Sequence, residues 1–557
     1  MEFSQISILL VVAGVFGLIA RFLKQPLLIG YLFAGLFLGF TGLITDAEVF
    51  SGLGQIGVAL LLFLLGLEMN IRELPSIGKV AILTGIGQIT FTSIIGFLIA
   101  SALGFGLLPA IYIAIALTFS STIIMVKLLS EKKDLGSLYG RIAVGFLLVQ
   151  DFVAVIILMF LAGLGEGGRS PGEYVVIVVK AFILFGLTWT LSKKVLPNLF
   201  ERLVAHSQEL LFIVSIAWAL GVASFVAGPL GFTLEIGGFL AGLALSNMPE
   251  HLQIAARTRS LRDFFLTIFF LLLGTQLLVP GAIIGLLPSA VLLSAFVLIG
   301  NPIIVLIIMG FLGYKKRTSF LAGLTVAQIS EFSFILMAMG QGLGHLDSSD
   351  TTLVILVGVI TMTVSTYLIL EADRIYLKIK KYLGVFERKK TKEAAFIMPR
   401  NLSGHVVLVG AHRSGKTLSA YFQRKNTDFL VVDFNPKVFD RLTAAKIPVI
   451  FGDINDVEIM EAASLDKART VISTISNFTD NLTLLEHLRK IKPRQVSVFT
   501  AQSREDAIKL YESGATYVVV PQIVAGDFIR HLFEIPGMGK SRLGKMGKSH
   551  FNRLLFK

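Results

Sequence analysis

Apolar positions along this chain come in long unbroken runs. From residue 5 to about residue 372, apolar stretches follow one another with short polar loops between them. Most are close to the roughly 20 residues that span a bilayer as a helix. Thirteen are centred near residues 13, 34, 63, 90, 117, 152, 183, 219, 240, 271, 296, 330 and 361. They predict a polytopic α-helical membrane domain over 1–372. The pattern then changes. A basic amphipathic stretch covers 373–403, suited either to an anionic lipid surface or to solvent. After it, short apolar runs (HVVLVG, DFLVVDF, PVIFGD, TVISTI) alternate with amphipathic ones (GKTLSAYFQRK, RLTAAK, VEIMEAASL). Strands alternating with helices predict a parallel α/β sheet of Rossmann-like type over 404–525. A short basic tail follows over 526–557.

Charge orders the membrane part. The loops after odd-numbered segments hold Arg21 and Lys24, Arg72 and Lys79, Lys132, Lys133 and Arg141, Lys193, Lys194 and Arg202, Arg257, Arg259 and Arg262, and Lys315, Lys316 and Arg317. Those after even-numbered segments carry mostly acids, with Arg169 the exception. Basic loops stay on the cytoplasmic side. The amino terminus is therefore expected outside and the α/β domain in the cytoplasm, at the cell inner membrane. Glu2 and the lack of a basic segment ahead of the first run argue for a retained helix, not a cleaved leader. The net charge of +13 fits this topology. No basic stripe interleaves with aromatics, so nucleic acid is not an expected partner. The chain has no cysteine, which excludes disulfides, thiolate catalysis and cysteine metal sites.

Ionisable residues inside apolar segments mark pathways. The clearest is Asp151, preceded by Gln150, in GRIAVGFLLVQDFVAVIILMF. Burial there disfavours a bare carboxylate, so a proton or a cation must accompany it. Two further segments are interrupted by small polar residues. ALTFSSTIIMVKLL holds Thr118, Ser120, Ser121 and Thr122, and LTVAQISEFSFILMAM holds Gln328, Ser330, Glu331 and Ser333. Paired interruptions at matching places predict an inverted repeat with two broken helices near the midplane. Glu331 would then neutralise a positive half-helix end. Glu235, Glu68 and Lys180 are weaker candidates, read as interfacial or snorkelling.

The stretch VGAHRSGKT carries two overlapping phosphate motifs. Gly410, Gly415, Lys416 and Thr417 fit the P-loop, and Gly410 and Gly415 fit the outer glycines of a dinucleotide turn, with His412 at the middle position. Asp433 follows Gly410 by 23 residues, close to the spacing of a ribose-binding acid. That favours a nucleotide sensor over a hydrolase. Gly410 permits the turn, Arg413 and the helix-start amides hold phosphate, and Gly415 allows close helix–strand packing. Asp433 would repel a 2′-phosphate, which disfavours NADP. His412 crowds a pyrophosphate, which favours AMP or altered NAD(H) binding as a regulatory ligand.

The motifs QPLLIGYLFAGLFLG, LGQIGVALLLFLLGLEM, ALTFSST, LLVQDFVAV, LGFTLEIGGFLAGLALSN, FFLTIFFLLLGTQL and AQISEFSFIL run in family order. By them the chain resembles the monovalent cation:proton antiporters of the Kef type. HVVLVGAHRSG, FLVVDFNP, PVIFGDINDVEIMEAASLDKARTVI and GATYVVVP resemble the TrkA-N (RCK N-terminal) domain. The resemblance implies a homodimer with two crossed broken helices and Asp151 as carrier of H⁺ and of K⁺ or Na⁺. It implies Gln150, Thr118, Ser120 and Ser121 around it, and Asp453 and Ile454 near an adenine. Many relatives pair the Asp with a Lys where LIGNPIIVLII has Asn301, so one-for-one electroneutral exchange is expected. The chain is read as a K⁺/H⁺ antiporter under nucleotide control, not an enzyme and without a redox cofactor. Na⁺/H⁺ exchange, a channel-like efflux protein and a membrane oxidoreductase are the alternatives.

Overall fold

The computed structural model describes residues 2–43, 47–68, 74–132, 134–135, 137–164, 184, 186, 188, 190–196, 207–230, 232–248, 250–275, 277, 280–387, 396–397, 403–454, 457–475, 477–534, 539–540 and 543–548. The chain divides into two compact units, Met1–Lys132 with Tyr139–Arg388, and Lys133–Leu138 with Lys389–Lys557.

The first unit is helical. Its elements are α1 (Glu2–Phe22), α2 (Leu27–Thr41), α3 (Ala47–Glu68), α4 (Leu74–Ala102), α5 (Leu107–Ala116), α6 (Thr122–Glu131), α7 (Leu138–Leu164), α8 (Gln208–Ala227), α9 (Leu234–Leu245), α10 (His251–Thr275), α11 (Pro280–Ala295), α12 (Asn301–Phe311), α13 (Lys316–Leu324), α14 (Glu331–Gly342), α15 (Ser348–Leu370) and α16 (Ala372–Ile379). A π-helical turn at Phe296–Gly300 joins α11 to α12 without a break in the rod. Nine of the thirteen expected centres fall on these helices, those near 117 and 330 fall in the two breaks described below, and the one near 296 falls in the π-helical turn. The one near residue 183 lies largely outside the described residues, with the π-helical turn Leu191–Val195 after it. Seven of the described helices are long and apolar enough to cross a membrane. Small residues bring α3 and α9 into backbone contact. A Cβ added at Gly242 would run into the Phe63 carbonyl oxygen, the close approach typical of helix pairs in lipid.

Two spans are broken, and both breaks follow the same local grammar. α5 has 10 residues and α6 has 10. At 1.5 Å per residue each is about 15 Å long, half of a bilayer core. α5 ends where Thr118 Oγ1 turns back to the Ile115 carbonyl at 2.7 Å, and α6 starts where Ser121 Oγ accepts the Ile124 N–H at 3.3 Å. α13 ends where Thr325 Oγ1 donates to the Ala322 carbonyl at 2.6 Å. α14 starts at Ser330, whose Oγ accepts the Phe332 N–H at 3.2 Å. Hydroxyl side chains that compete for backbone groups end one half-helix and cap the next.

Beyond α15 the chain stays on this unit. Asp373 of α16 is paired with Lys132 at 3.1 Å and with Arg317 at 3.0 Å. Lys132 closes α6 and Arg317 opens α13, so one acid ties an end of each broken span. Burial pushes the Asp373 carboxyl up, but the two cations more than offset this and leave it below the ordinary carboxylate range. Lys316 lies 3.7 Å from Glu387, after the 3₁₀ turn Tyr382–Phe386. The acidic partners offset the cost of cations at the positive end of α13.

The second unit is a seven-stranded sheet: β1 (Phe396–Ile397), β2 (Val406–Val409), β3 (Phe429–Asp433), β4 (Val449–Phe451), β5 (Thr470–Ser473), β6 (Val496–Thr500) and β7 (Tyr517–Val519). The order is β1-β4-β3-β2-β5-β6-β7. β1 is antiparallel to β4, and every other pairing is parallel. Helices α17 (Arg413–Arg424), α18 (Pro436–Ala444), α19 (Val457–Ala462), α20 (Phe478–Ile491) and α21 (Arg504–Glu512) connect the strands, and α22 (Pro521–Glu534) follows β7. β2 and β3 are buried throughout, as the continuous apolar runs of a two-face-covered parallel sheet require. The strand order reverses between β2 and β5, the place where such sheets bind ligands.

Candidate functional site

The membrane site is assembled at the first break. Asp151 sits in the middle of α7 and is 6% exposed. Its Oδ2 accepts the Thr122 hydroxyl at 2.9 Å. Thr122 is the first residue of α6, so the carboxylate lies at the positive end of a half-helix. Gln150 takes the Ser120 N–H on its Oε1 at 3.3 Å and donates through Nε2 to Gln88 Oε1 at 2.6 Å. Ser121 caps α6, as described above. Ser120 Oγ is buried without a hydrogen-bond partner among the described residues.

Asn301 is fully buried at the start of α12. Its Nδ2 donates to the Leu117 carbonyl at 3.0 Å and its Oδ1 accepts the Thr92 hydroxyl at 2.8 Å. Its amide thus serves the open end of α5. Thr118 gives its carbonyl to Gln88 Nε2 at 3.3 Å. The second break joins the first through Ser333 Oγ, which donates to the Ala116 carbonyl at 2.6 Å. Glu331 is in the first turn of α14, 6% exposed, and its Oε2 accepts the Ser330 hydroxyl at 3.2 Å. The structure therefore brings Thr118, Ser120, Ser121, Gln150, Asp151 and Asn301 to one break, and sets Glu331 at the other. Glu235 lies in the first turn of α9, partly exposed. The Glu68 side chain and Lys180 lie outside the described residues. A separate apolar cavity of about 320 Å³, lined by Trp218, Phe225 and Leu240 among others, includes none of the site residues.

The nucleotide loop is at the carboxyl end of β2. Gly410 has φ +82°, in the left-handed region. A Cβ added at Gly415 would run into the Gly410 carbonyl oxygen. Asp433 ends β3 and is 8% exposed. Its Oδ2 accepts the Ala411 N–H at 2.7 Å and its Oδ1 the Asn435 N–H at 2.8 Å. His412 precedes α17 and is exposed. Arg413 is the first residue of α17, and its side chain lies outside the described residues. Asp453 and Ile454 follow β4 and are buried, at 7% and 3% exposure. Two contributors went unnoticed in the sequence. Arg441 of α18 reaches back to the Ala411 carbonyl at 2.6 Å, and Thr474 Oγ1 donates to the Gly410 carbonyl at 2.9 Å. Thirty residues separate Arg441 from Ala411, and no local spacing marks that contact.

Residues 7–370 match the family model described as sodium/hydrogen exchanger, transmembrane, and residues 406–521 match the TrkA-N domain. A putative cation/proton antiporter, YbaL of Escherichia coli, is 28% identical over 95% of this chain and 97% of its own length. A putative K(+) efflux antiporter, KefB of Alkalimonas amylolytica, is 26% identical over 90% of this chain and 76% of its own. The structure of the sodium proton antiporter MjNhaP1 of Methanocaldococcus jannaschii aligns with a TM-score of 0.51 at 17% identity, over 69% of this chain and all of that one, and supports the membrane fold. With its two broken spans meeting beside a buried acid and an α/β unit later in the chain, the chain belongs to the sodium/hydrogen exchanger family and is a cation/proton antiporter that carries a TrkA-N domain.

Proposed function

We propose that the protein is a K⁺/H⁺ antiporter of the inner membrane, a transporter and not an enzyme, in which Asp151 holds either a proton or the cation. The observation that carries this reading is the Asp151 carboxylate itself. It is 6% exposed, at the mouth of a half-helix and hydrogen-bonded to Thr122. A hydroxyl partner can turn to serve a carboxylate, a carboxylic acid or a carboxylate with a metal ion. Ser120, Thr122 and Gln150 supply neutral oxygens at the same break, the ligands that suit an alkali cation. Asn301 stands where a cation would give the cycle a second charge, so one proton exchanges for one cation without net charge movement. The names of the relatives favour K⁺ over Na⁺. Alternation proceeds by movement of the bundle that holds both breaks, in a homodimer embedded in lipid, with the amino terminus outside.

The TrkA-N domain, on the cytoplasmic side, senses an adenine nucleotide. Gly410 and the amides that open α17 hold phosphate, with Arg413 beside them and His412 limiting the ligand to AMP or a displaced NAD(H). Asp433 takes ribose, and Asp453 and Ile454 flank the base. The reading is tested by flux in proteoliposomes, with K⁺ against Na⁺ inside and AMP or NAD outside. It predicts proton-driven K⁺ movement that exceeds Na⁺ movement, is indifferent to an imposed voltage, and changes with nucleotide. Voltage-driven flux without proton coupling would instead establish a channel.

A further inference from the structure

Helix α4 carries three buried polar side chains at four-residue spacing. Thr84, Gln88 and Thr92 recur every four residues, and each is fully buried. In lipid such a stripe must find partners within the protein. Gln88 and Thr92 find them at the first break, in one oriented chain. Thr92 Oγ1 donates to Asn301 Oδ1, so its own oxygen is left to accept Gln88 Nε2, at 3.1 Å. Gln88 Oε1 accepts Gln150 Nε2, which turns the Gln150 oxygen to the Ser120 N–H. Both amide orientations follow from their neighbours. Each step has one donor and one acceptor, and no member can ionise at neutral pH.

The chain encloses the break. Ser333, Asn301 and Gln88 take the carbonyls of Ala116, Leu117 and Thr118 in turn. Gln150 takes the Ser120 N–H. These are the open groups that a helix ending inside a membrane leaves behind. With them engaged, Ser120 Oγ remains buried without a partner among the described residues, one residue before the Ser121 cap of α6 and two before Thr122, which holds Asp151.

We infer that Gln88 and Thr92 are positioning residues of the cation site. They act through Gln150 and Asn301 to fix the unwound segment so that the Ser120 hydroxyl, and not a backbone carbonyl, faces the ion at Asp151. This rests on the reading of Asp151 as the carrier. A frame that sets oxygen positions governs how tightly and which alkali ion binds, because selectivity depends on ligand number and spacing. It leaves the turnover of the loaded carrier nearly unchanged.

The test uses the full-length protein in proteoliposomes, with proton-driven K⁺ and Na⁺ flux measured over a range of cation concentration. Thr92→Val removes the hydroxyl at similar volume and should raise the KM for K⁺ about tenfold, the worth of one buried hydrogen bond. The maximal rate should stay within about twofold, and the K⁺/Na⁺ preference should narrow. Thr92→Ser should restore both. If Thr92→Val does not accumulate, Thr92→Ala removes the same hydroxyl and gives the same readout. Unchanged KM and ion preference overturn the inference, and so does a fall in maximal rate alone that Thr92→Ser does not repair. Asp151→Asn serves as the control. If it still exchanges, the carrier reading itself has failed. If it is inactive while Thr92→Val behaves as the parent, only the role given to α4 is lost.

Discussion

Asp151 and Asp433 are the same residue at almost the same burial, 6% and 8% exposed, and they are held in opposite ways. Both oxygens of Asp433 accept backbone N–H groups, from Ala411 and Asn435. A backbone N–H only donates, and it is fixed by the fold. That carboxylate is part of the scaffold of the loop. Asp151 accepts a hydroxyl, from Thr122. A hydroxyl rotates and can donate or accept, so it tolerates a change of occupant at the acid. Burial alone therefore does not identify an exchange site. On the proposed reading, the rotatable hydroxyl at Asp151 is what suits it to a change of occupant.

The largest effect expected from this contrast is at Asp151. Asp151→Asn keeps the volume and the hydrogen bond but cannot release a proton, and proton-coupled flux should fall below detection while the protein remains monodisperse in detergent. Next comes Gly415→Ala, which forces a methyl group against the Gly410 carbonyl. Overpacking of that kind costs about 1–3 kcal/mol. Thermal unfolding should show a less stable TrkA-N unit, and calorimetry should show lost AMP or NAD binding, with basal flux unchanged. Asp433→Ala should be read first in binding. Two N–H groups lose their acceptor, each at a cost of about 1–3 kcal/mol if water does not replace it. Nucleotide affinity should fall at least about tenfold, and unaltered affinity would place the ribose elsewhere.

The smallest effect is at Asp373. Its pairs with Lys132 and Arg317 involve a half-exposed carboxylate, so they are worth about 0–1 kcal/mol. Because the folded carboxyl titrates below its ordinary value, that stability is present above about pH 4 and is lost as the pH falls further. Asp373→Asn should lower the melting temperature by about 2 °C or less at pH 7. The difference from the parent should shrink as the pH falls below about 4. A difference that grew in acid would mean the pairs are not what holds α16 in place.

The sequence made legible what is local. Runs of about 20 apolar residues are long enough to announce a span. The hydroxyls that end a half-helix sit within four residues of the groups they bind, as Thr118 and Ser121 do, so both breaks could be located by reading along the chain. Gly410 and Gly415 are recognisable because their spacing is the geometry of the loop. What crosses the fold was not legible. Thr92 and Asn301 are 209 residues apart, and Lys132 and Asp373 are 241 apart. The four-residue repeat of Thr84, Gln88 and Thr92 was the available signal for the first of these, since a polar stripe on an apolar helix in lipid requires a partner. Nothing comparable points from Asp373 to the ends of α6 and α13. The hold of Asn301 on the end of α5 was not legible for the same reason, and only the packing of α12 against α4 and α5 reveals it.

The central claim is that one carboxyl group takes either the proton or the cation. Its most direct measurement is proton release on adding K⁺ to the purified full-length protein in weakly buffered detergent, at a pH where the empty site is protonated. The account predicts about one H⁺ released per protomer as K⁺ saturates, and none from Asp151→Asn. K⁺ binding with no proton released, or the same release from Asp151→Asn, would contradict it.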